Sequence, residues 1–165
     1  MISVGISFSV KKSAIDYTIY TRELTEKGQL LTHNKDQNVL TLMTLDAIIE
    51  NHFSVLHPKM TLGDMLHHGV AKSTRNLFPV VDEEGELTGI ILLDDVREIM
   101  FDQSLYKTTL VESLMHNPPD KIIYNKDSMQ TVMQKFQDSG AWNLPVIKDE
   151  KYIGFVSKSK LLTAY

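Results

Sequence analysis

Asn76-Leu77-Phe78-Pro79-Val80-Val81-Asp82, followed by Gly89-Ile90-Ile91, returns as Asn143-Leu144-Pro145-Val146-Ile147-Lys148, followed by Gly154-Phe155-Val156. Upstream, the stripe Leu62, Met65, Leu66 matches Met129, Val132, Met133. The offset between copies is 67 at the stripe, 66 at the prolines and 65 at the glycines, so two one-residue deletions account for the drift. The order of helix, strand and turn signals is kept through both copies, which marks an internal repeat and not a chance likeness of apolar runs.

Each copy reads as the same unit. In the first, a short leading helix is expected around Leu45 to Glu50 and a strand near Phe53 to Leu56. A helix opened by Thr61, with Asp64 three residues on, follows. Phe78 to Asp82, the turn Glu83-Glu84-Gly85 and Leu87 to Leu93 predict strand, hairpin and strand, closed by a helix over Val96 to Phe101. In the second, Leu110 to Met115 leads, Lys121 to Tyr124 is a strand, and Ser128 caps a helix through Phe136. Leu144 to Ile147, the turn Lys148 to Lys151 and Tyr152 to Ser157 repeat the hairpin, and Leu161-Leu162 start a last helix. The fold class is therefore α+β, with two βαββα units expected to cover one another about a pseudo-twofold axis.

A chain of 165 residues suits two halves of roughly 60 that share a core, each marginal alone. Lys plus Arg total 17 against 21 Asp plus Glu, for a net charge of −4 and no basic stripe, which argues against a nucleic-acid partner. There is no cysteine, which removes disulfides, thiolate metal sites and cysteine nucleophiles.

Met1 to Val10 is apolar and small but is followed by Lys11-Lys12, the reverse of a secretory signal, and is shorter than the about 20 residues that span a bilayer. Two readings stay open: an arm packed on the core, or the end of a membrane helix. Tyr17, Ile19, Tyr20 and Leu24 with the charges Arg22, Glu23, Glu26 and Lys27 predict a helix stopped by Gly28, and the polar linker His33-Asn34-Lys35-Asp36 follows.

The twice-occurring hydrophobic-Pro-Val pattern (Phe78-Pro79-Val80 and Leu144-Pro145-Val146), turn and Gly-hydrophobic-hydrophobic resembles a pair of cystathionine-beta-synthase (CBS) domains over about Val39 to Tyr165. Ser13 to Leu40, with Tyr17-Thr18-Ile19-Tyr20-Thr21-Arg22-Glu23-Leu24 and Leu31-Thr32-His33-Asn34-Lys35-Asp36, is similar to the stretch joining the last membrane helix of bacterial ClC chloride channels and transporters to their CBS pair. The resemblance implies three parts: a connector at residues 1–38, one CBS repeat at 39–105 and a second at 106–165. It implies a regulatory, dimerising tail of a ClC-type chloride channel or chloride/proton antiporter, at the cytoplasmic face of the membrane. Its partners would be the membrane-embedded transport domain and a second copy of itself. The helix from Asp16 to Lys27 would pass the arrangement of the modules to that domain.

Family members that sense adenosine nucleotides use Gly-hydrophobic-hydrophobic-Ser/Thr-x-x-Asp, in which the carboxylate accepts from the ribose hydroxyls and the short hydroxyl meets phosphate. The resemblance places Gly89 and Asp95 in the first copy, but Leu92 has lost the hydroxyl. It places Gly154 and Ser157 in the second, but Lys160 has replaced the acid. Pro79 and Pro145 mark the strands whose backbone would read adenine. A hydrogen bond to a charged group is worth roughly 1.5–3 kcal/mol, so each missing member weakens binding by about one to two powers of ten. No cofactor is required, and ATP, ADP or AMP are the candidate ligands, with Lys160 reaching for phosphate. Asp95 as an acid at a helix start and Ser157 as a helix cap or a hairpin-end hydroxyl explain the same residues without a ligand.

Other chemistry is not indicated. His67-His68 point about 100 degrees apart on a helix and do not share a metal. Asp82-Glu83-Glu84 and Asp94-Asp95 fit a hairpin turn and a helix start. No nucleophile elbow or phosphate-cradling glycine loop occurs, so the chain is expected not to be an enzyme. Trp142, where the first copy has Arg75, offers a ring to stack on an adenine, but is expected rather to plug the cleft or pack in the core, and Met60, Met65, Met129 and Met133 are expected as core and interface filler. Two alternatives to the transporter tail remain: a free-standing CBS pair that binds adenosine ligands, or a purely structural dimerisation module.

Overall fold

A computed structural model describes residues 43–164 of the protein, so the N-terminal helix and linker expected before them lie outside the described residues. Met43 onward forms one compact unit by itself. It begins with a single tight turn at Leu45–Ala47 and the two-residue strand β1, Ile49–Glu50, where the sequence predicted a helix. The apolar spacing of Leu45, Ile48 and Ile49 fits either periodicity over so short a run, and tertiary pairing decides: Ile49 and Glu50 lie antiparallel to Val156 and Phe155.

Helix α1 starts at Leu62–Asp64, widens into a π-helical turn at Met65–Gly69 and ends in a tight turn at Val70–Lys72. Thr61 caps it by accepting from the Asp64 N–H and donating to the Asp64 carboxylate. Strands β2 (Leu77–Val81) and β3 (Leu87–Leu92) form the first hairpin, bulged between Val80 and Val81. Asp82 closes its turn by accepting from the Glu84 and Glu86 N–H groups through Oδ1. Helix α2 takes Leu93–Val96, earlier than predicted, and looser turns carry the chain past Phe101. Helix α3 is Val111–Leu114 and strand β4 is Ile122–Ile123.

Helix α4, Met129–Ser139, is capped by Ser128 and ended by Gly140, whose φ of 64° is left-handed. Strands β5 (Asn143–Lys148) and β6 (Lys151–Ser157) form the second hairpin, and helix α5 (Lys158–Ala164) starts directly after it, before Leu161.

The strand predicted at Phe53 to Leu56 reduces to one parallel bridge, with Leu56 donating to Pro79 O at 2.9 Å and accepting from Val81 N at 2.9 Å. The next rung of a parallel ladder would need an N–H from Pro79, which has none. Pro145 limits the equivalent pairing of β4 with β5 to two residues for the same reason.

The two halves exchange their lead-in segments. β1, ahead of the first repeat, completes the sheet β1-β6-β5-β4 of the second. His116, ahead of the second, bridges Ile90 of β3 in the first, through backbone bonds of 2.9 and 3.0 Å. The repeat glycines make these crossings possible. A Cβ on Gly154 would stand 2.6 Å from the Glu50 carbonyl oxygen, and one on Gly89 would stand 3.1 Å from that of His116. The pseudo-twofold relation is therefore visible in the pairings Glu50 with Phe155 and His116 with Ile90. Phe53, Leu77 and Ile90 of the first half and Phe155 of the second share one core cluster, so neither half encloses its apolar surface alone.

Candidate functional site

Exchange of the lead-in strands decides which side chains meet at the end of β6. Glu50 arrives from β1, Ser157 ends β6, and Ser159 and Lys160 sit in the first turn of α5. With Arg75 and Trp142 they border a hollow of about 430 Å³. Ser157 is the buried polar residue of the described core; its Oγ accepts from the Lys160 N–H at 3.2 Å and lies 3.3 Å from Ser159 Oγ. Ser157 therefore does cap a helix, and this bond leaves its hydroxyl at the wall of the hollow.

Glu50 is the electrostatic centre of this hollow. Its side chain is 16% exposed, and Oε1 accepts from Arg75 Nη2 at 2.9 Å. The Arg75 guanidinium also lies 5.1 Å from the centre of the Phe53 ring, which holds it in place. Burial pushes the Glu50 carboxyl up, but hydrogen bonding from Arg75 and Ser157 and the charges of Arg75 and Lys160 outweigh that and hold it below the usual carboxylate range. The Ser157 hydroxyl is near enough to contribute, yet no bond of ordinary geometry reaches Oε2, which is buried without a partner.

In the first repeat the corresponding place looks different. Asp95 Oδ2 accepts from the Leu92 N–H at 2.8 Å and lies 3.0 Å from His116 Nε2. Asp95 thus fills its ordinary role at a helix start and adds a cross-repeat partner. It is not among the residues bordering the Glu50 hollow, so Asp95 does not join Ser157 and Lys160 in one site. Pro79 and Pro145 are buried in their strands opposite Ile90 and Phe155. Gly89 and Gly154 lie under the crossing segments and serve close backbone approach.

Trp142 corrects another expectation. It is 74% exposed at the rim of the hollow, neither plugging it nor in the core, with the Lys158 ammonium 5.7 Å from its ring. Glu50 was not legible as a site residue, because a helical reading of Leu45 to Glu50 leaves it without a partner. The signal that pointed to it was the basic residue at position 160, where an acid was expected. A larger open hollow of about 760 Å³ borders the hairpin-turn end, with Thr88, Asn117, Asp120, Lys121 and Asp149 around it, a set of mixed charge with no convergent bonding.

The CBS domain family model matches residues 41–102 and again 111–165, and the chain belongs to that family as a tandem pair. Among solved structures, the CBS domain of the bacterial CNNM/CorC family Mg²⁺ transporter superposes with a TM-score of 0.63 at 17% identity, covering 76% of this chain and 76% of that one. CbpB in complex with c-di-AMP gives 0.62 at 19%, covering 79% and 89%. Protein MJ1004 from Methanocaldococcus jannaschii gives 0.62 at 20%, covering 73% of this chain, which spans 58% of that one's length. At these identities the likeness is one of fold. No curated protein matches the sequence.

Proposed function

We propose that this CBS pair is a regulatory module that binds an adenosine nucleotide and acts on a membrane transport domain. The observation that carries the reading is the hollow at the end of β6, where Arg75, Lys160 and the hydroxyls of Ser157 and Ser159 converge beside a buried carboxylate. Cations and short hydroxyls at that spacing suit phosphate, and the carboxylate suits a sugar. CbpB, of the same fold, is known in complex with c-di-AMP, and another such pair belongs to a CNNM/CorC Mg²⁺ transporter. The particular transport domain we favour is of the ClC type, on the strength of Ser13 to Leu40, with the module paired to a second copy at the cytoplasmic face.

Calorimetric titration of the full chain with AMP, ADP, ATP and c-di-AMP tests the ligand. Saturable heat at or below millimolar concentration is expected, and none with any of the four rejects a nucleotide role. Fractionation of native cells with an antibody tests the partner. A membrane band several times heavier than 18.8 kDa is expected, and a soluble band near that mass rejects a fused transporter tail.

A further inference from the structure

The two crossings that join the halves are short and alike. β1 meets β6 over Ile49 and Glu50, and His116 meets β3 at one bridge, so few backbone bonds are made by either. Each lands beside a repeat glycine, Gly154 or Gly89, that leaves room for the arriving backbone. Ladder bonds are formed by N–H and C=O groups that every segment carries, so they do not distinguish β3 from β6 as a docking edge. Side chains must tell the lead-in of the first half from that of the second.

Those side chains differ in sign. Glu50 and His116 hold equivalent places, since they sit opposite Phe155 and Ile90, which correspond in the repeat. Asp95 and Lys160 are equivalent as well, each third after the end of its strand. In the exchanged arrangement His116 Nε2 lies 3.0 Å from the Asp95 carboxylate, and Glu50 is held ionised by Arg75, by the Ser157 hydroxyl and by the charge of Lys160. Were each half to keep its own lead-in, Glu50 would stand at Asp95 and His116 at Lys160. The first sets together two carboxylates, which only accept. The second trades the carboxylate that faces His116 for an ammonium. Arg75 belongs to the first half with Glu50 and answers Oε1 in either arrangement, so it does not alter the comparison.

We propose that these four residues address the crossings: Glu50 is matched to the Lys160 end of β6 and His116 to the Asp95 end of β3, so that each lead-in docks on the other half and closure of a half upon itself is rejected. The selection comes from the penalty in the wrong arrangement. It is therefore compatible with the small worth of the half-exposed contact between Asp95 and His116 in the right one. The two mismatches together weigh against self-closure by about tenfold.

The chain has no cysteine of its own, which permits a direct competition. The test replaces Ile49, Ile91 and Val156 with cysteine in the full chain. Ile49 pairs with Val156 in the exchanged arrangement and would meet Ile91, the repeat equivalent of Val156, in a self-closed half. Refolding at low concentration in a glutathione buffer lets the thiols choose, and peptide mapping of the monomer band counts linkages from position 49 to 156 and to 91. Position 156 should dominate. In the recoded chain, Asp95→Lys with His116→Glu, both strand ends read alike, and the ratio should fall by about tenfold. Asp95→Asn, isosteric and able to donate to Glu50, should lower it several-fold and replaces the recoded chain if that does not melt cooperatively. Asp94→Lys, on the same helix but facing Arg97, should leave the ratio unchanged. A ratio unmoved by recoding and by Asp95→Asn, including absence of the linkage to 91 throughout, assigns the exchange to packing alone and overturns the proposal. An equal fall with Asp94→Lys shows a general effect of charge and overturns it as well.

Discussion

Asp95 Oδ2 and His116 Nε2 lie 3.0 Å apart, joining the helix start of one repeat to the lead-in segment of the other. The pair is half open to solvent, with side chains 34% and 45% exposed, so the contact itself is worth little. Asp95 also accepts from the Leu92 N–H, a bond at the start of helix α2. Asp95→Ala should therefore cost about 1 kcal/mol through the lost cap, and His116→Ala should cost less than half of that. Urea unfolding of both variants, at low and high salt, checks it. Equal losses would mean that the cross-repeat contact, and not the cap, carries the stabilisation.

Gly154 and Gly140 should respond differently to alanine. At Gly154 the new Cβ meets the Glu50 carbonyl oxygen at 2.6 Å and Ile49 Cγ2 at 2.8 Å, so β1 has to move away from β6. Overpacking of this kind costs about 1–3 kcal/mol, and the rigid backbone partner places Gly154→Ala at the upper end. At Gly140 nothing lies within 4 Å, and only the left-handed φ of 64° resists, for about 1 kcal/mol. Denaturant midpoints rank the two. Gly154→Ala should also weaken any ligand of the Glu50 hollow, whereas Gly140→Ala should not.

The hairpins and their caps were legible because they depend on neighbours in sequence. Pro79 with Gly89 and Pro145 with Gly154 set strand and turn within a few residues, and Thr61 and Ser128 announce their helices. The site was only half legible. Ser157 and Lys160 stand in a local motif, but Glu50 reaches them only because a two-residue strand crosses from the other repeat, and no periodicity can be read in two residues. Arg75 follows from Glu50, since its place is set by that carboxylate and by the Phe53 ring. Trp142 was misjudged because a large aromatic beside a buried strand usually packs inward, while here the ring stays at the rim with Lys158 near it.

Glu50 should shape the acid limb of the stability curve. Its carboxyl is held below the ordinary value of 4.5, so the folded form binds this proton less readily than the unfolded chain. The stabilisation is complete above the unfolded pKa and is lost as pH falls through the folded one. Glu50→Gln, which cannot ionise, should flatten the dependence of unfolding free energy on pH below about 5. An unchanged slope in that window would assign the acid sensitivity to other carboxylates.

Tyr152 carries the other buried atom without a partner. Its Oη is enclosed among the described residues, and burial pushes the phenol well above its ordinary pKa. Its ring packs beside Phe155, 5.6 Å between centroids. Tyr152→Phe keeps that packing and removes a hydroxyl that forfeits its water bonds on folding, so the variant should be neutral or more stable by up to about 1 kcal/mol. A loss above 1 kcal/mol on thermal or urea unfolding would mean that the hydroxyl is hydrogen-bonded in solution.

Trp142 offers a direct reading of the hollow, because it is the single tryptophan of the chain and stands at the rim. Exposed at 74%, its indole should emit as a solvated ring and be quenched freely by iodide or acrylamide in the empty state. A nucleotide seated against Lys160 and Ser157 would cover part of the ring and draw Lys158 from it toward phosphate. Titration with AMP should therefore shift the emission and reduce the quenching constant, saturating at the same concentration as the calorimetric heat. Trp142→Phe should remove the signal while lowering affinity by no more than the loss of a stacking contact, about tenfold. If AMP binds by calorimetry while emission and quenching stay unchanged, the ligand sits away from this rim, and the search moves to the first-repeat pair Asp95 and His116.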